Sequence, residues 1–390
     1  MRGKRVRGRA SKVLIPLVVV FINASIILFP REALAAARGG LSLWLDNVLP
    51  ALLPFAVGIN ILGALGFTRF LGVLLEPLMR PLFRVPGVGG FALITGLMSG
   101  SPLGAKVTAA LRKDGLISAA EARRLVGFTN NCGPLFIIGA VGVGLFGDAA
   151  TGYFIFVVHM LAALAVGLVF RCFGTDKVER IKKGLLTRAC AEMREGRAKT
   201  GFGGILATSV TDAMETMLLV GGFIILFAVI IGIGQAMGLF AALAGFFNAE
   251  QLVAGAATGF LEITAGARDL AGVGGRGALI AAAAVISWGG LCIHAQSLGF
   301  ISKTDIGAAP YILGKSLHAT FAAALAFLLY PVYTTLSPQT AQTALFNNQA
   351  PPSPLDHAIN SLTSSAALFA ASMTALTLLA FALYWLRRAR

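Results

Sequence analysis

Two apolar segments between residues 95 and 144, each interrupted by small, polar and helix-stopping residues, constrain this chain more than any other feature. The first interruption covers residues 99–104, with Ser99, Gly100, Ser101, Pro102 and Gly104, and the second covers residues 129–134, with Asn130, Asn131, Gly133 and Pro134. A helix stopped at Ser99 finds a new start just beyond it, because Ser101 can cap free backbone donors and Pro102 suits a first helical turn. The spacing predicts a helical hairpin with arms at about residues 87–98 and 102–111. Arms of that length are about half of the roughly 20 residues a bilayer requires, so the hairpin should enter the membrane and return. The second interruption lies in a segment, about 119–146, that is long enough to cross, which predicts a broken transmembrane helix. Unwound backbone at membrane depth survives only where protein or a water-filled cavity surrounds it. Such interruptions at matching places in two halves of a chain mark a transporter's binding site, so a matching half is expected.

Composition sets the solvent. With 57% hydrophobic residues, 13% charged residues and a mean hydropathy of +0.81, the 390-residue chain is too apolar for a soluble domain and reads as an all-α polytopic membrane protein. Cys132, Cys172, Cys190 and Cys292 form no C-x-x-C pair, which argues against a disulfide framework and a zinc site.

In chain order, residues 1–40 hold a basic start and a first span over about 13–29, with an alternative reading of residues 33–37 as the end of a cleavable signal; either way residues 31–40 lie outside. A second span covers about 41–65, and residues 66–85 read as an interfacial helix and loop. The hairpin, the broken helix and a span at about 149–170 complete a first repeat, residues 41–173. Residues 174–203 form a basic cytoplasmic linker; a basic loop beside a span points to topology and not to nucleic acid. The second repeat, 204–335, has a span near 204–234, a short hairpin at 251–272, an interrupted segment at 278–301 and a span at about 310–333. Residues 336–361 are a loop free of Lys and Arg, and 362–390 hold the last helix.

Cations test this map. With both termini inside, only Arg31, Arg38 and Arg276 fall outside, and Lys106 and Arg268 fall in the hairpins. Every other Lys and Arg, Lys315 at the start of its span included, falls on the inner side, as the positive-inside rule requires. The first hairpin then enters from the cytoplasm and the second from outside, so the halves form an inverted repeat with two re-entrant hairpins and two broken helices. A sequence echo agrees. Thr95, Gly96 and Leu97 match Thr258, Gly259 and Phe260; Gly104, Ala105 and Lys106 match Gly266, Ala267 and Arg268; the break at 130–134 finds a counterpart at 288–292.

The stretches LWLDNVLPALLPF, LMRPLFRVPG, SGSPLGAK and ISAAEARRLVGFTNNCGPLFIIGAVGVGLF resemble the sporulation integral membrane protein YlbJ family, which carries a nucleoside-transporter-type gate domain. The resemblance is strong over residues 41–146 and looser beyond. It implies a fold similar to concentrative nucleoside transporters, and a role in moving dipicolinate across the outer forespore membrane. The family usually has an aromatic residue between the glycine and proline of the first hairpin, where this chain has Ser101.

The residues themselves lead to a small anionic or polar solute. Half-helix N-termini near Pro102, Gly133 and Gly266 would aim free N–H groups at an anion. Lys106 and Arg268 could each meet one carboxylate of a flat diacid, against the plainer readings that Lys106 snorkels and Arg268 pairs with Asp269 or Glu262. Asn130 and Asn131, Ser99, Ser101 and Thr264, and His294 and Gln296 supply polar contacts, with capping and backbone satisfaction as the plain alternatives. Glu262 is either a fixed ion-pair partner or the carrier of a coupling proton; proton or sodium would be the coupling ion. His159 and His318 read as packing residues. No cofactor or metal is expected, and no phosphate loop, H-E-x-x-H or G-x-S-x-G supports an enzyme; Cys132 with a distant histidine is the best nucleophile on offer. The function expected is a carrier working by alternating access within the lipid bilayer. Dipicolinate is its leading solute by resemblance, with a nucleoside carrier or a non-transporting sporulation scaffold as alternatives.

Overall fold

A computed structural model of the chain describes residues 2–173, 184–245 and 250–336. The expected final loop and helix beyond residue 336 lie outside the described residues. Those residues are helical, with a single isolated β-bridge between Leu65 and Arg197. Among the described residues, four helices or broken helices are long and apolar enough to cross a membrane, Ala149–Phe170, Phe202–Ala236, Gly275–Ile301 and Ala308–Thr335, and the bent pair Pro16–Leu28 and Pro30–Asp46 would make a fifth if taken as one span.

The N-terminal elements are α1 (Arg2–Leu28) and α2 (Pro30–Leu43), followed by a π-helical turn Trp44–Val48 and α3 (Leu49–Ala64). The first two are bent by 103° at Phe29 and Pro30, where proline removes a backbone donor. Residues 31–40 lie within α2. Small residues set its packing: Ala36 and Gly40 face Gly232 and Ala228, and the two backbones approach closely. Trp44 continues the contact, donating from Nε1 to the Met217 carbonyl at 3.0 Å, and Asn60 donates to the Ser209 carbonyl at 3.1 Å. The run 30–64 thus lies antiparallel along one long helix of the second half.

Next come α4 (Phe67–Phe83), α5 (Gly89–Met98), α6 (Leu103–Lys113), α7 (Ala119–Val126), a π-helical segment Leu135–Leu145 and α8 (Ala149–Phe170). α5 and α6 are two short helices joined at residues 99–102, and residues 127–133 between α7 and the π segment are not helical. Ser118 and Glu121 form a capping box that starts α7, and the Asp148 carboxylate caps α8 through the amides of Ala150 and Thr151. The basic linker contains a helix, α9 (Leu185–Glu195). It packs on α4 through Glu76, whose carboxylate is held by Arg80 at 2.6 Å and Arg188 at 3.3 Å.

The second half holds α10 (Phe202–Ala236), α11 (Leu239–Ala244), the hairpin α12 (Glu250–Leu261) and α13 (Ile263–Val273), the interrupted pair α14 (Gly275–Trp288) and α15 (Gly290–Ile301), and α16 (Ala308–Leu336). The break in the pair is Gly289 at φ +92°, a left-handed turn that glycine adopts without strain.

Two buried clusters hold this together. Phe83, Phe128, Phe170 and Tyr311 pack in one, between α4, α7, α8 and α16; Ile137, Ile155, Leu270 and Ile286 pack in the other, between the π segment, α8, α13 and α14. At the solvent side, Arg112 at the foot of the first hairpin grips Asp305, in the α15–α16 loop, with two hydrogen bonds of 2.7 Å. Those hydrogen bonds hold the Asp305 carboxyl below the usual carboxylate range. A carboxyl depressed in the folded state stabilises above its unfolded pKa and loses that contribution as pH falls through its folded value. Asp305→Asn should therefore melt lower than the parent protein in detergent at neutral pH, with the gap closing below about pH 4 and shrinking in high salt. A gap unchanged by pH would show that this pair does not stabilise the fold.

Candidate functional site

Both hairpins cross at glycines, and these are the glycines of the sequence echo. A Cβ on Gly96 or on Gly104 would overlap the carbonyl of Thr129, so the first break is docked directly onto the α5–α6 crossing. A Cβ on Gly266 would overlap the backbone of Gly259 at the α12–α13 crossing. The tips meet the breaks as well: Gly133 lies against Met98 and Ser99, and Gly290 against Leu261 and Glu262.

Between the tips and the breaks is a cavity of about 840 Å³, within the size range of small-molecule sites. Its polar lining includes Ser99, Ser101, Glu262, Thr264 and Gln296. An apolar wall that sequence reading did not foresee comes from Leu43, Leu52, Phe55, Val220 and Ile224 on α2, α3 and α10. Among the described residues its charged lining is Asp46 and Glu262, with no Lys or Arg.

Five of the ten expected residues are thus at the cavity and five are not. Lys106 reaches α10, donating to Thr216 Oγ1 at 2.8 Å and to the Asp212 carbonyl at 3.4 Å. Arg268 is exposed on α13, and neither Asp269 nor Glu262 pairs with it. Asn130 and Asn131 are buried behind the cavity wall. The Asn130 amide donates to Ser297 Oγ (2.9 Å) and Tyr311 OH (3.1 Å). The Asn131 amide donates to the Phe128 carbonyl, while its Oδ1 is buried without a partner, as is the Ser99 hydroxyl. His294 bonds Tyr311 through Nδ1, and Gln296 donates to Cys292 Sγ.

Several expectations about caps need correction. Ser101 does not cap α6; its hydroxyl donates to the Asn131 carbonyl at 2.8 Å and ties the hairpin tip to the first break. The Asn130 Oδ1 accepts from the Ala105 amide, near the start of α6. The second hairpin's returning helix starts at Ile263, not near Gly266, because the Glu262 carboxylate takes the amides of Thr264 (2.9 Å) and Ala265 (2.8 Å). Neither start is left with all its N–H groups free for an anion; the protein's own oxygens occupy some of them. Glu262 forms no ion pair among the described residues; its charge is offset by the N-terminus it caps.

A second polar cluster, unforeseen in the sequence, lies behind the first break. Lys315, counted as an inner-surface cation, is 2% exposed inside α16 and donates to the Asn130 carbonyl and to His318 Nδ1, each at 3.1 Å. His318 Nε2 bonds the His159 carbonyl at 2.9 Å. His159 accepts from the Cys132 amide at 3.1 Å and bonds Ser287 Oγ at 2.9 Å, beside the second break. The histidines read as packing residues thus tie α8 and α16 to both interruptions. The Cys132 thiol points to the Ile286 carbonyl and not to a ring nitrogen. One signal was available: Tyr311, Lys315 and His318 fall on one face of a single helix.

Residues 45–147 match the model of the Gate family, described as nucleoside recognition. Solved structures of two variants of CNTnw in an outward-facing state are similar, at 14% and 15% identity, over 86% of this chain and 88% and 87% of theirs, with TM-scores of 0.44 and 0.38. The sporulation integral membrane protein YlbJ of Bacillus subtilis (strain 168) is 38% identical over 349 residues, 84% of this chain and 85% of that protein. An all-helical chain with these membrane-length spans, alike in sequence over that extent, belongs to the family of the sporulation integral membrane protein YlbJ.

Proposed function

We propose that this membrane protein is a carrier for a small, flat, polar solute, and that the solute is dipicolinate, moved with protons and not as a bare dianion. The observation that supports a carrier is the cavity itself, placed where two hairpin tips and two helix breaks meet. Helix breaks around a cavity give a site that hairpin movement can open to either side. Membership in a family with a sporulation membrane protein supports a role in sporulation, for which dipicolinate and the outer forespore membrane are our assignments, and the placing of Lys and Arg supports cytoplasmic termini. The lining supports proton accompaniment: Asp46 and Glu262 face the cavity with no lining cation among the described residues, and like charges at low dielectric repel by several kcal/mol.

A nucleoside is the second reading, favoured by the acceptor-rich lining and the description of the matching Gate family. Uptake of labelled dipicolinate and of uridine into proteoliposomes decides between them, with empty vesicles and the Lys106→Ala, Arg268→Ala double variant alongside. Dipicolinate-selective flux is expected, and it should persist in the double variant because neither cation reaches the cavity. Loss of flux in that well-folded variant would return the cation pair to the site. Uridine-selective flux would overturn the dipicolinate assignment, and no flux of either would overturn the carrier reading in favour of a scaffold.

A further inference from the structure

The cluster around Lys315 is assembled as a charge site without a counter-charge. Lys315 has no carboxylate within ion-pair distance among the described residues, although it is buried in the middle of the bundle. An unpaired ammonium inside a membrane protein is expensive and marks ion or proton pathways more often than packing. Its hydrogen-bond directions are fixed by its neighbours. The His159 carbonyl can only accept, so His318 holds its proton on Nε2 and offers Nδ1 as an acceptor to Lys315. The Cys132 amide can only donate, so His159 Nε2 is an acceptor and Nδ1–H faces Ser287. A second proton on either ring would break one of these contacts. Of the groups in this network, the Lys315 nitrogen is therefore the one that can gain or lose a proton with every bond kept.

That nitrogen is also where both interruptions converge. It donates to the Asn130 carbonyl in the first break, while its side chain runs beside Gly289 in the second. The cavity wall at Cys132 and Gly133 begins two residues beyond Asn130. We propose that Lys315 is a proton-binding site that couples proton movement to the position of the first helix break. This inference rests on the carrier reading. As an ammonium, Lys315 makes a charge-assisted bond to the Asn130 carbonyl, roughly twice as strong as a neutral one, and holds the break as it stands here. When the ammonium gives its proton to a water molecule that reaches it past the first break, it becomes a free amine, that bond weakens, and the break is released to its other position. The titratable groups facing it are His318 and Tyr311 on α16, His159 on α8, Cys132 in the first break and His294 on α15; Glu262, capping α13, lies at the same cavity wall.

The test uses the full-length protein in proteoliposomes with labelled dipicolinate, comparing wild type, Lys315→Met and Lys315→Arg. Arginine keeps the charge but does not release its proton. Two conditions are measured: exchange at equal pH, and accumulation driven by an imposed pH gradient. Wild type should accumulate roughly tenfold per pH unit for one coupled proton, with acidification of the proton-receiving side read by an enclosed dye. Lys315→Met should still exchange yet accumulate no solute against its gradient, whereas Lys315→Arg, which cannot release the break, should lose exchange as well. Wild-type exchange that ignores the pH gradient and moves no protons would overturn this proposal and leave the carrier reading standing. Gradient-driven accumulation by either variant would overturn it too. Should both variants fail to fold, the wild-type dye signal alone decides; absence of exchange of any solute by wild type removes the carrier reading and this inference with it.

Discussion

Gly104→Ala is expected to abolish flux and to remove most of the folded protein, with Gly96→Ala at least as severe. The hairpin arms cross at these two residues, and the Thr129 carbonyl fills the space where either Cβ would go. Thr129 cannot retreat easily. It is fully buried, its hydroxyl bonds Thr108 Oγ1 at 3.1 Å, and Thr108 in turn bonds the Gly104 carbonyl at 2.9 Å. Overpacking in a well-filled core costs about 1–3 kcal/mol when side chains can shift. Here backbone meets backbone, so the upper end of that range is expected, about a hundredfold in the folding equilibrium. Gly58→Ala is the matched control, since nothing lies within 4 Å of its Cβ position and alanine favours helix by about 1 kcal/mol. Thermal unfolding in detergent and proteoliposome uptake should both separate the two substitutions. If Gly104→Ala melted like Gly58→Ala, the docking of the first break onto the hairpin would be wrong.

The same glycines explain what could be read without coordinates. Hairpins and breaks were legible because Gly, Pro and Ser interrupt apolar runs, and a run that stops in a membrane must be handled by something nearby. The echo of Gly96 and Gly104 in Gly259 and Gly266 was legible as letters, and its cause is that both pairs are crossing points. Other parts depend on partners far away in sequence. Residues 31–40 carry too few large apolar side chains to announce a helix, and their small size has meaning only against Gly232 and Ala228 of α10. Lys315 read as an inner-surface cation because a lysine near a helix start ordinarily snorkels; its partner Asn130 is 185 residues distant. Free helix starts were expected at the site because helix N-termini bind anions. What sequence could not show is that Asn130 and Glu262 already bond into those starts.

Glu262→Gln is expected to lower the initial rate of dipicolinate uptake by at least roughly tenfold while changing the melting temperature little, because glutamine keeps one cap acceptor but removes the carboxylate that would accept a hydrogen bond from the protonated solute. The geometry gives Glu262 two roles that this substitution separates. As a cap, its carboxylate satisfies the amides of Thr264 and Ala265, and losing such a cap typically costs about 1 kcal/mol of stability. As a cavity-lining acid at the tip of α12–α13, it faces the cavity and lies against Gly290 of the second break. Asp148 provides the comparison, since it caps α8 through the same pair of amides, two and three residues on, and does not line the cavity. Asp148→Asn and Glu262→Gln should therefore melt alike, and only the second should lose transport. Equal and small losses of flux in the two variants would leave Glu262 as a cap alone and move solute recognition to Ser99, Ser101 and Gln296. A large loss confined to Glu262→Gln places the acid among the groups the solute touches, at the junction where the second hairpin meets the second break.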